Sequence, residues 1–266
     1  MTARTPSPFE REELAYLAEN FRLAAMPAEE RALSIAASDL LDPAKCEEYV
    51  SRLDRIFPAA AKPVRASLFA KRYSYLITTS SLYAMTMFDR SLDWSIENCR
   101  VESGYRNGTW LPGLRLDDWR MSQVSEERRG EWREKIVTTI FADHLAKVWH
   151  VLSKVASISE TVLWENTSVY VYWLYERRVG QDAGEREKDR IREDYDYLLK
   201  VAKGSCFGLD ANPLARFDFP KIETAESDRP VRIRQTCCLA YRASDHKTCC
   251  SVCPRKDRIM GKEQLQ

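Results

Sequence analysis

The stretch from Pro63 to Phe88, PVRASLFAKRYSYLITTSSLYAMTMF, runs without an internal proline or glycine. It is too long for a strand, so it predicts one long buried helix at the centre of the core. The remaining elements have to pack around it. Ser7, Pro8 and Glu10 have the form of a helix start, with Leu14, Leu17 and Phe21 marking a buried face behind it. Pro27 and Pro43 can each open a further helix. After Asp42, the residues Cys46, Tyr49, Val50, Leu53, Ile56 and Phe57 recur at spacings of three and four, which makes Cys46 a packing residue.

A small sheet is expected to interrupt the helices. Leu92, Trp94 and Ile96 alternate with polar residues, and Tyr105, Asn107-Gly108, Trp110 and Leu111 have the pattern of strands joined by a type I′ turn. Three more helices follow over about 125–156, 159–178 and 184–203, the last two ended by Gly180 and Gly204. The Pro-bearing stretch 205–230 reads as a connecting segment draped over the surface. The predicted fold is mainly α with a small antiparallel β-sheet. A helical body with a hairpin or sheet near 92–116 occupies 1–225, and a cysteine-rich C-terminal module occupies 226–266.

With 41 Lys+Arg against 40 Asp+Glu, the formal charge of +1 gives no global field for nucleic acid or an anionic membrane. The N-terminus, MTARTPSPFEREEL, lacks the apolar stretch of a secretory signal. No run of about eighteen apolar residues is present, so no integral membrane segment is expected and the cytoplasm is the expected compartment. In a reducing compartment clustered thiols bind metal or do redox chemistry more often than they form disulfides. Of the eight cysteines, Cys46, Cys99 and Cys206 are scattered, whereas Cys237, Cys238, Cys249, Cys250 and Cys253 fall within seventeen residues.

Four thiolates suffice for an iron-sulfur cluster, and a [2Fe-2S] rhomb takes two on each iron. Cys237 and Cys238 could anchor one side, Cys250 and Cys253 the other. Pro254 closes the run and supplies no amide donor. A structural zinc site is the competing chemistry. Cys250-Ser251-Val252-Cys253 fits a zinc knuckle, but the adjacent Cys237 and Cys238 do not. A thiol or disulfide switch is the third choice, and it lacks the alternating strand and helix context of a thioredoxin-like fold. On spacing alone these stay open. His246 lies inside the loop and could replace a thiolate, although five cysteines already exceed the need. His144 and His150 stand six apart on a helix, on different faces, and read as structural.

The run VRIRQTCCLAYRASDHKTCCSVCPRKDR resembles the C-terminal motif of the FhuF-like ferric siderophore reductases, a Cys-Cys pair, ten residues, then Cys-x-x-Cys. Cys237, Cys238, Cys250 and Cys253 match it by type. Arg234, Tyr241-Arg242 and Pro254 extend the likeness. Upstream, Leu163-Trp164-Glu165-Asn166 is similar to the family's Trp-x-Asn helix, and SLFAKRYSYLITTSSLYAM to its long central helix. The resemblance covers most of residues 60–255. One departure is that eleven residues separate Cys238 from Cys250, because Cys249 adds a fifth sulfur. The Cys-x-x-Cys spacing assigns Cys250 as the third ligand, with Cys249 as the alternative.

The resemblance implies a [2Fe-2S] cofactor in the C-terminal module and a helical body that binds substrate. The implied activity is one-electron reduction of a cytoplasmic Fe(III)-siderophore, of hydroxamate type, which releases Fe(II) because hard oxygen donors suit Fe(II) poorly. The partners so implied are the chelate and an unidentified electron donor. Peripheral contact with the inner face of the cell membrane is compatible with delivery of the chelate by an importer. Arg234, Arg242, Lys247, Arg255 and Lys256 surround the cysteines. Some can offset the cluster's negative charge, and Arg234 and Arg242 are the candidates to touch substrate, against the simpler reading of a solvated basic tail. Trp164, Tyr170, Tyr172, Trp173 and Tyr175 read first as core and second as walls of a chelate pocket. The alternative function is a non-enzymatic, zinc-stapled helical binding module. The helical body also resembles the C-terminal part of siderophore synthetases, but the missing Gly-rich phosphate loop and the short chain argue against a ligase.

Overall fold

The computed structural model describes residues 11–123, 126–180, 183–224, 227–243 and 249–256. The expected helix start at Ser7-Pro8, and His246 and Lys247, lie outside the described residues. Helix α1 (Arg11–Phe21) leads to strands β1 (Leu23–Ala24) and β2 (Ile35–Ala36), then to α2 (Pro43–Arg52). Asp42 caps α2 by accepting from the amides of Ala44 and Lys45 at 2.8 and 3.2 Å, with Pro43 at the first helical position. Pro27 opens no helix. The loop between β1 and β2 is pinned instead by one buried carboxylate, because Ala28 N and Ser34 Oγ both donate to Glu102 Oε2, at 3.2 and 2.9 Å.

Helix α3 (Lys62–Phe88) is the predicted central helix and is buried on nearly every side. It carries hydroxyls into the core by returning them to its own backbone. Thr78 Oγ1 donates to Ser74 O at 2.7 Å, Thr79 Oγ1 to Tyr75 O at 2.6 Å, and Ser81 Oγ to Ile77 O at 2.5 Å. The helix ends where Asp89 takes a left-handed conformation, φ 50°.

Six short strands follow: β3 (Arg90–Leu92), β4 (Cys99–Glu102), β5 (Tyr105–Arg106), β6 (Thr109–Trp110), β7 (Gly113–Leu116) and β8 (Met121–Gln123). The main sheet has the order β1-β7-β4-β2 and is antiparallel except where β1 runs parallel to β7. The hairpin β5-β6 has the expected I′ turn, with φ 51° at Asn107 and 74° at Gly108. The expected strand through Trp94 and Ile96 stops at Leu92. Asp93 Oδ1 accepts from Ser95 N at 3.0 Å and Asp93 O from Asn98 Nδ2 at 2.7 Å, which folds these residues into a turn that still buries both apolar side chains.

The remaining helices are α4 (Arg129–Ile140), α5 (Lys147–Ala156), α6 (Glu160–Trp173), α7 (Glu185–Asp196) and the short α8 (Pro213–Arg216), followed by the hairpin strands β9 (Ile222–Thr224) and β10 (Ser227–Val231). A widened π turn, Phe141–Ala146, joins α4 to α5. Similar turns, Leu174–Arg178 and Tyr197–Val201, end α6 and α7. The first seats His144 in the core, where Tyr73 OH donates to Nε2 at 2.5 Å and Nδ1 donates to Trp94 O at 2.9 Å. Cys46, Cys99 and Cys206 are buried and free. The 205–230 segment is only partly superficial, since Cys206, Phe207, Leu214 and Phe217 belong to the core. The hairpin β9-β10 spans the expected boundary between body and C-terminal module. Among the described residues no helix is long and apolar enough to cross a membrane.

Candidate functional site

Helices α3 and α6 pack along one another through the centre of the molecule, and α6 places four consecutive polar residues, Glu165, Asn166, Thr167 and Ser168, inside it. Two of them are satisfied locally, because Thr167 and Ser168 donate to the carbonyls of Leu163 and Trp164 at 3.0 and 2.9 Å. The other two reach across to the C-terminal segment. Glu165 accepts from the amides of Gln235 and Thr236 at 2.6 and 2.8 Å and from the Thr236 hydroxyl. Arg234 forms an ion pair with Glu165 at 3.4 Å and donates to Asn166 Oδ1 at 2.8 Å. Asn166 Nδ2 in turn donates to Ser67 Oγ at 3.2 Å, and Ser67 Oγ donates to Cys238 O at 2.8 Å. The side chains of Arg234 and Glu165 are 2% and 4% exposed, which is tolerable only because every charge in the group is paired and hydrogen-bonded.

This clamp delivers the cysteines to the N-terminal half of α3. Cys237, Cys238 and Cys253 are buried, and Cys249 and Cys250 half-buried. Arg234 N donates to Val252 O at 3.1 Å and Cys253 N to Cys250 O at 3.0 Å, so the two halves of the cysteine run are tied side by side. The sulfurs of Cys238 and Cys250 lie 3.8 Å apart, and Lys71 Nζ is 3.9 Å from Cys238 Sγ. The hydrogen bond shared with Cys250 lowers the pKa of the Cys238 thiol against the opposing effect of burial, and the Lys71 charge adds to the lowering. The same hydrogen bond pushes Cys250 up. Cys237 is raised chiefly by burial. Backbone amides point at two further sulfurs: Leu239 N donates to Cys237 Sγ and Arg255 N to Cys253 Sγ, both at 3.4 Å. The first bond is made possible by Leu239 itself, a non-glycine residue at φ 62° that turns the chain back immediately after the cysteine pair. Leu239 and Ala240 then pack on Val64 and Leu68 of α3.

The thiols therefore associate in pairs, Cys238 with Cys250 and Cys249 with Cys253. Among the described residues no group of three or more His, Cys, Asp or Glu is arranged around a single metal ion. A separation of about 3.8 Å is what two thiolates on one tetrahedral metal require when each bond is about 2.3 Å. The Cys238–Cys250 pair thus has the spacing of two thiolates on one metal ion, and it links the two halves of the motif rather than the neighbours Cys237 and Cys238.

The family model described as ferric iron reductase FhuF-like transporter matches residues 67–220, more than half the chain. The chain belongs to the FhuF-like ferric iron reductase family. Its matched region begins at Ser67 and contains Lys71, Glu165 and Asn166, the residues of the helical body that grip the cysteine segment, and it stops before the cysteines themselves. No curated protein matches the chain.

Within this FhuF-like framework, Arg234 is buried in the clamp. Arg242 is placed elsewhere, its Nε donating to Tyr241 OH at 3.0 Å on the short turn Ala240–Arg242. His150 is exposed against Glu160 at 3.2 Å, and His144 is buried, so the two share no site. Of the aromatic run on α6 and the turn that ends it, Trp164, Tyr172 and Tyr175 are core. Ser67, Lys71 and Glu165 were not singled out as functional residues in the sequence. The signal was present in Glu165-Asn166-Thr167-Ser168, a polar run inside a helix whose other residues are apolar.

Proposed function

We propose that this protein is a ferric siderophore reductase that acts in the cytoplasm on a Fe(III)-siderophore of hydroxamate type. The observation that carries the reading is the paired set of thiols held against α3 by residues of the family-matched body. Cys237, Cys238, Cys250 and Cys253 are the residues to hold a [2Fe-2S] cluster. The 3.8 Å contact with Cys238 favours Cys250 over Cys249 as the third ligand. When bound, such a cluster supplies one-electron redox chemistry at a potential set by nearby charge, hydrogen bonds and exposure.

The chain's own residues prepare that site. Lys71 places a cation beside Cys238, and the amides of Leu239 and Arg255 donate to the sulfurs of Cys237 and Cys253, so the cost of gathering four thiolates is offset before any metal arrives. Glu165, Asn166 and Arg234 fix the segment in place. In the net reaction one electron from an external donor converts Fe(III) in the chelate to Fe(II). The siderophore's oxygen donors then hold the ion weakly and release it.

The test is the visible spectrum of anaerobically purified protein before and after dithionite, with iron, acid-labile sulfide and zinc counted on the same sample. The expected result is absorption that bleaches, with about two irons and two sulfides per chain. A colourless protein with one zinc and no sulfide would overturn the reading in favour of a zinc-stapled binding module.

A further inference from the structure

The formal charge of the whole chain is only +1, yet one face concentrates cations that have no acidic partner. Arg22 Nη1 donates to Pro112 O and Arg72 Nε to Trp110 O, both at 3.1 Å. Those two carbonyls are close together in an extended stretch of chain, so the guanidiniums are held as neighbours, and both side chains are half-buried. The Arg22 group lies 4.2 Å from the centre of the Tyr75 ring and the Arg72 group 5.5 Å from that of Trp110. Arg106, exposed on β5, adds a charge beside Arg22, and Arg178, bound to Asn20 Oδ1 at 2.6 Å, adds one beside Tyr75. Among the described residues no carboxylate pairs with Arg22, Arg72, Arg106 or Arg178. Burial lowers the pKa of both Arg22 and Arg72, and the cations repel one another, Arg106 acting on Arg22 and Arg22 on Arg72.

Carbonyls occupy one N–H donor of Arg22 and two of Arg72, so donors remain on both forks for an outside acceptor. Arg22 also takes φ 60° directly after α1, where glycine is the ordinary residue, so its side chain is kept against backbone strain. The patch borders the cysteine site. Tyr75 stands one helical turn after Lys71, whose Nζ is 3.9 Å from Cys238 Sγ, and Tyr170 one turn after Asn166, which holds Arg234. The rings of Tyr75 and Tyr170 meet at 5.5 Å, and that of Trp173 lies 5.9 Å from Tyr75; all three residues are half-buried. Arginine with tyrosine and tryptophan is the composition that dominates the energetic centre of protein–protein interfaces. The forks are fixed on backbone carbonyls, which suits fixed carboxylates better than the diffuse charge of a membrane surface.

We propose that Arg22, Arg72 and Arg106, with the faces of Tyr75, Tyr170 and Trp173, dock a small acidic one-electron carrier protein that serves as the electron donor. The inference rests on the reductase reading and names the class of partner which that reading leaves open. Carboxylates of the carrier supply the missing counter-charges, and docking brings its redox centre towards Lys71 and Cys238. One reduced carrier is oxidised for each Fe(III) converted to Fe(II), and no bond to the carrier forms or breaks. Opposite fields steer the encounter, so docking weakens as salt screens them.

The test uses the full chain and an acidic plant-type ferredoxin. Binding of the gallium-substituted ferredoxin, which carries no electron, is measured by calorimetry at low and high salt. The proteins compared are the wild type, the double variant Arg22→Gln/Arg72→Gln, and Arg106→Glu, which alters only an exposed side chain. The visible spectrum of each checks that the cysteine site is intact. The wild type is expected to bind, and to bind more weakly in high salt. At low salt the affinity falls about tenfold or more in the double variant and about threefold or more in Arg106→Glu, with a shallower salt dependence in both. Reduction by native ferredoxin slows in step, while every protein still bleaches with dithionite. No binding by the wild type, or equal binding by all three proteins, would overturn the inference. So would loss of binding to phosphatidylserine vesicles in the variants with ferredoxin binding unchanged, which would assign the patch to a membrane. If a cluster is present and ferredoxin does not bind, only the docking site fails. If no protein holds iron and sulfide, the reductase reading fails first.

Discussion

Lys71 is half-buried on α3, with its Nζ 3.9 Å from Cys238 Sγ. Nothing in the sequence marks it out, because one lysine in an Ala-Lys-Arg-Tyr step looks like the solvated edge of a helix. Its role depends on a residue 167 positions later. A cation beside a thiolate stabilises whichever redox state carries more negative charge, so in a cluster held by Cys238 it favours the reduced form. Lys71→Met is therefore expected to lower the reduction potential, by up to roughly 180 mV for one charge at about 4 Å in a medium of effective dielectric near 20. A mediator titration of the two proteins decides the point, since a side chain that serves only packing would leave the potential where it was. Arg234 was legible as a residue of the site from its position beside the cysteines. Its burial was not, because the partners that neutralise it stand on α6.

At the scale of elements, the helices were legible where apolar residues recur at helical spacing, and α2, α3 and α6 begin close to where Pro43, Pro63 and Ser159 suggest. The π turns were not, because one extra residue per turn leaves composition unchanged and shows only in which side chains meet. Nor was the parallel edge β1-β7, whose strands are joined through most of the body rather than by a local turn. The docking of the cysteine segment on α6 is likewise a pairing of distant residues, and it makes a prediction about mobility. Glu165 accepts two backbone amides and the Thr236 hydroxyl while balancing Arg234, so Glu165→Gln removes one charge of a buried pair and replaces one acceptor oxygen with a donor. The amides of Gln235 and Thr236 are expected to exchange with solvent about tenfold faster or more, while those in the middle of α3 keep their protection, because the α3 ladder does not depend on this carboxylate. Hydrogen exchange read by mass spectrometry on peptides covering 230–240 and 70–85 separates the two. Faster exchange throughout would mean that Glu165 holds the core together rather than the segment.

The whole molecule is organised around an interior that is more polar than its helical pattern suggests. Asp194 is fully buried, and both its carboxylate oxygens are engaged by Arg129, at 2.7 and 2.8 Å, with Arg133 at 3.0 Å and the Thr86 hydroxyl at 2.9 Å. His144 is buried in its neutral form between Tyr73 and Trp94. The latter arrangement sets the acid stability of the body. Burial lowers the His144 pKa from 6.5 to about 4, the Trp94 carbonyl opposing only part of that shift. Between those two values the unfolded chain binds a proton that the folded chain refuses. The stability His144 allows is therefore fully present above about pH 6.5 and is lost as the pH falls towards 4. The loss is about 3 kcal/mol in total and about 2 kcal/mol by pH 5. Glu102 and Glu176, whose pKa values are lowered despite burial by hydrogen bonds from Arg115 and Arg232 respectively, act in the same direction but mainly below their ordinary value of 4.5, so at pH 5 the His144 loss dominates. Urea midpoints at pH 7.5 and pH 5.0 should fall steeply in the wild type and much less in His144→Gln, which keeps an acceptor for Tyr73 and a donor for Trp94 but cannot titrate. Acid loss of any bound cluster is common to both proteins and cancels in the comparison. Equal losses would move the acid sensitivity away from the core and onto the surface carboxylates.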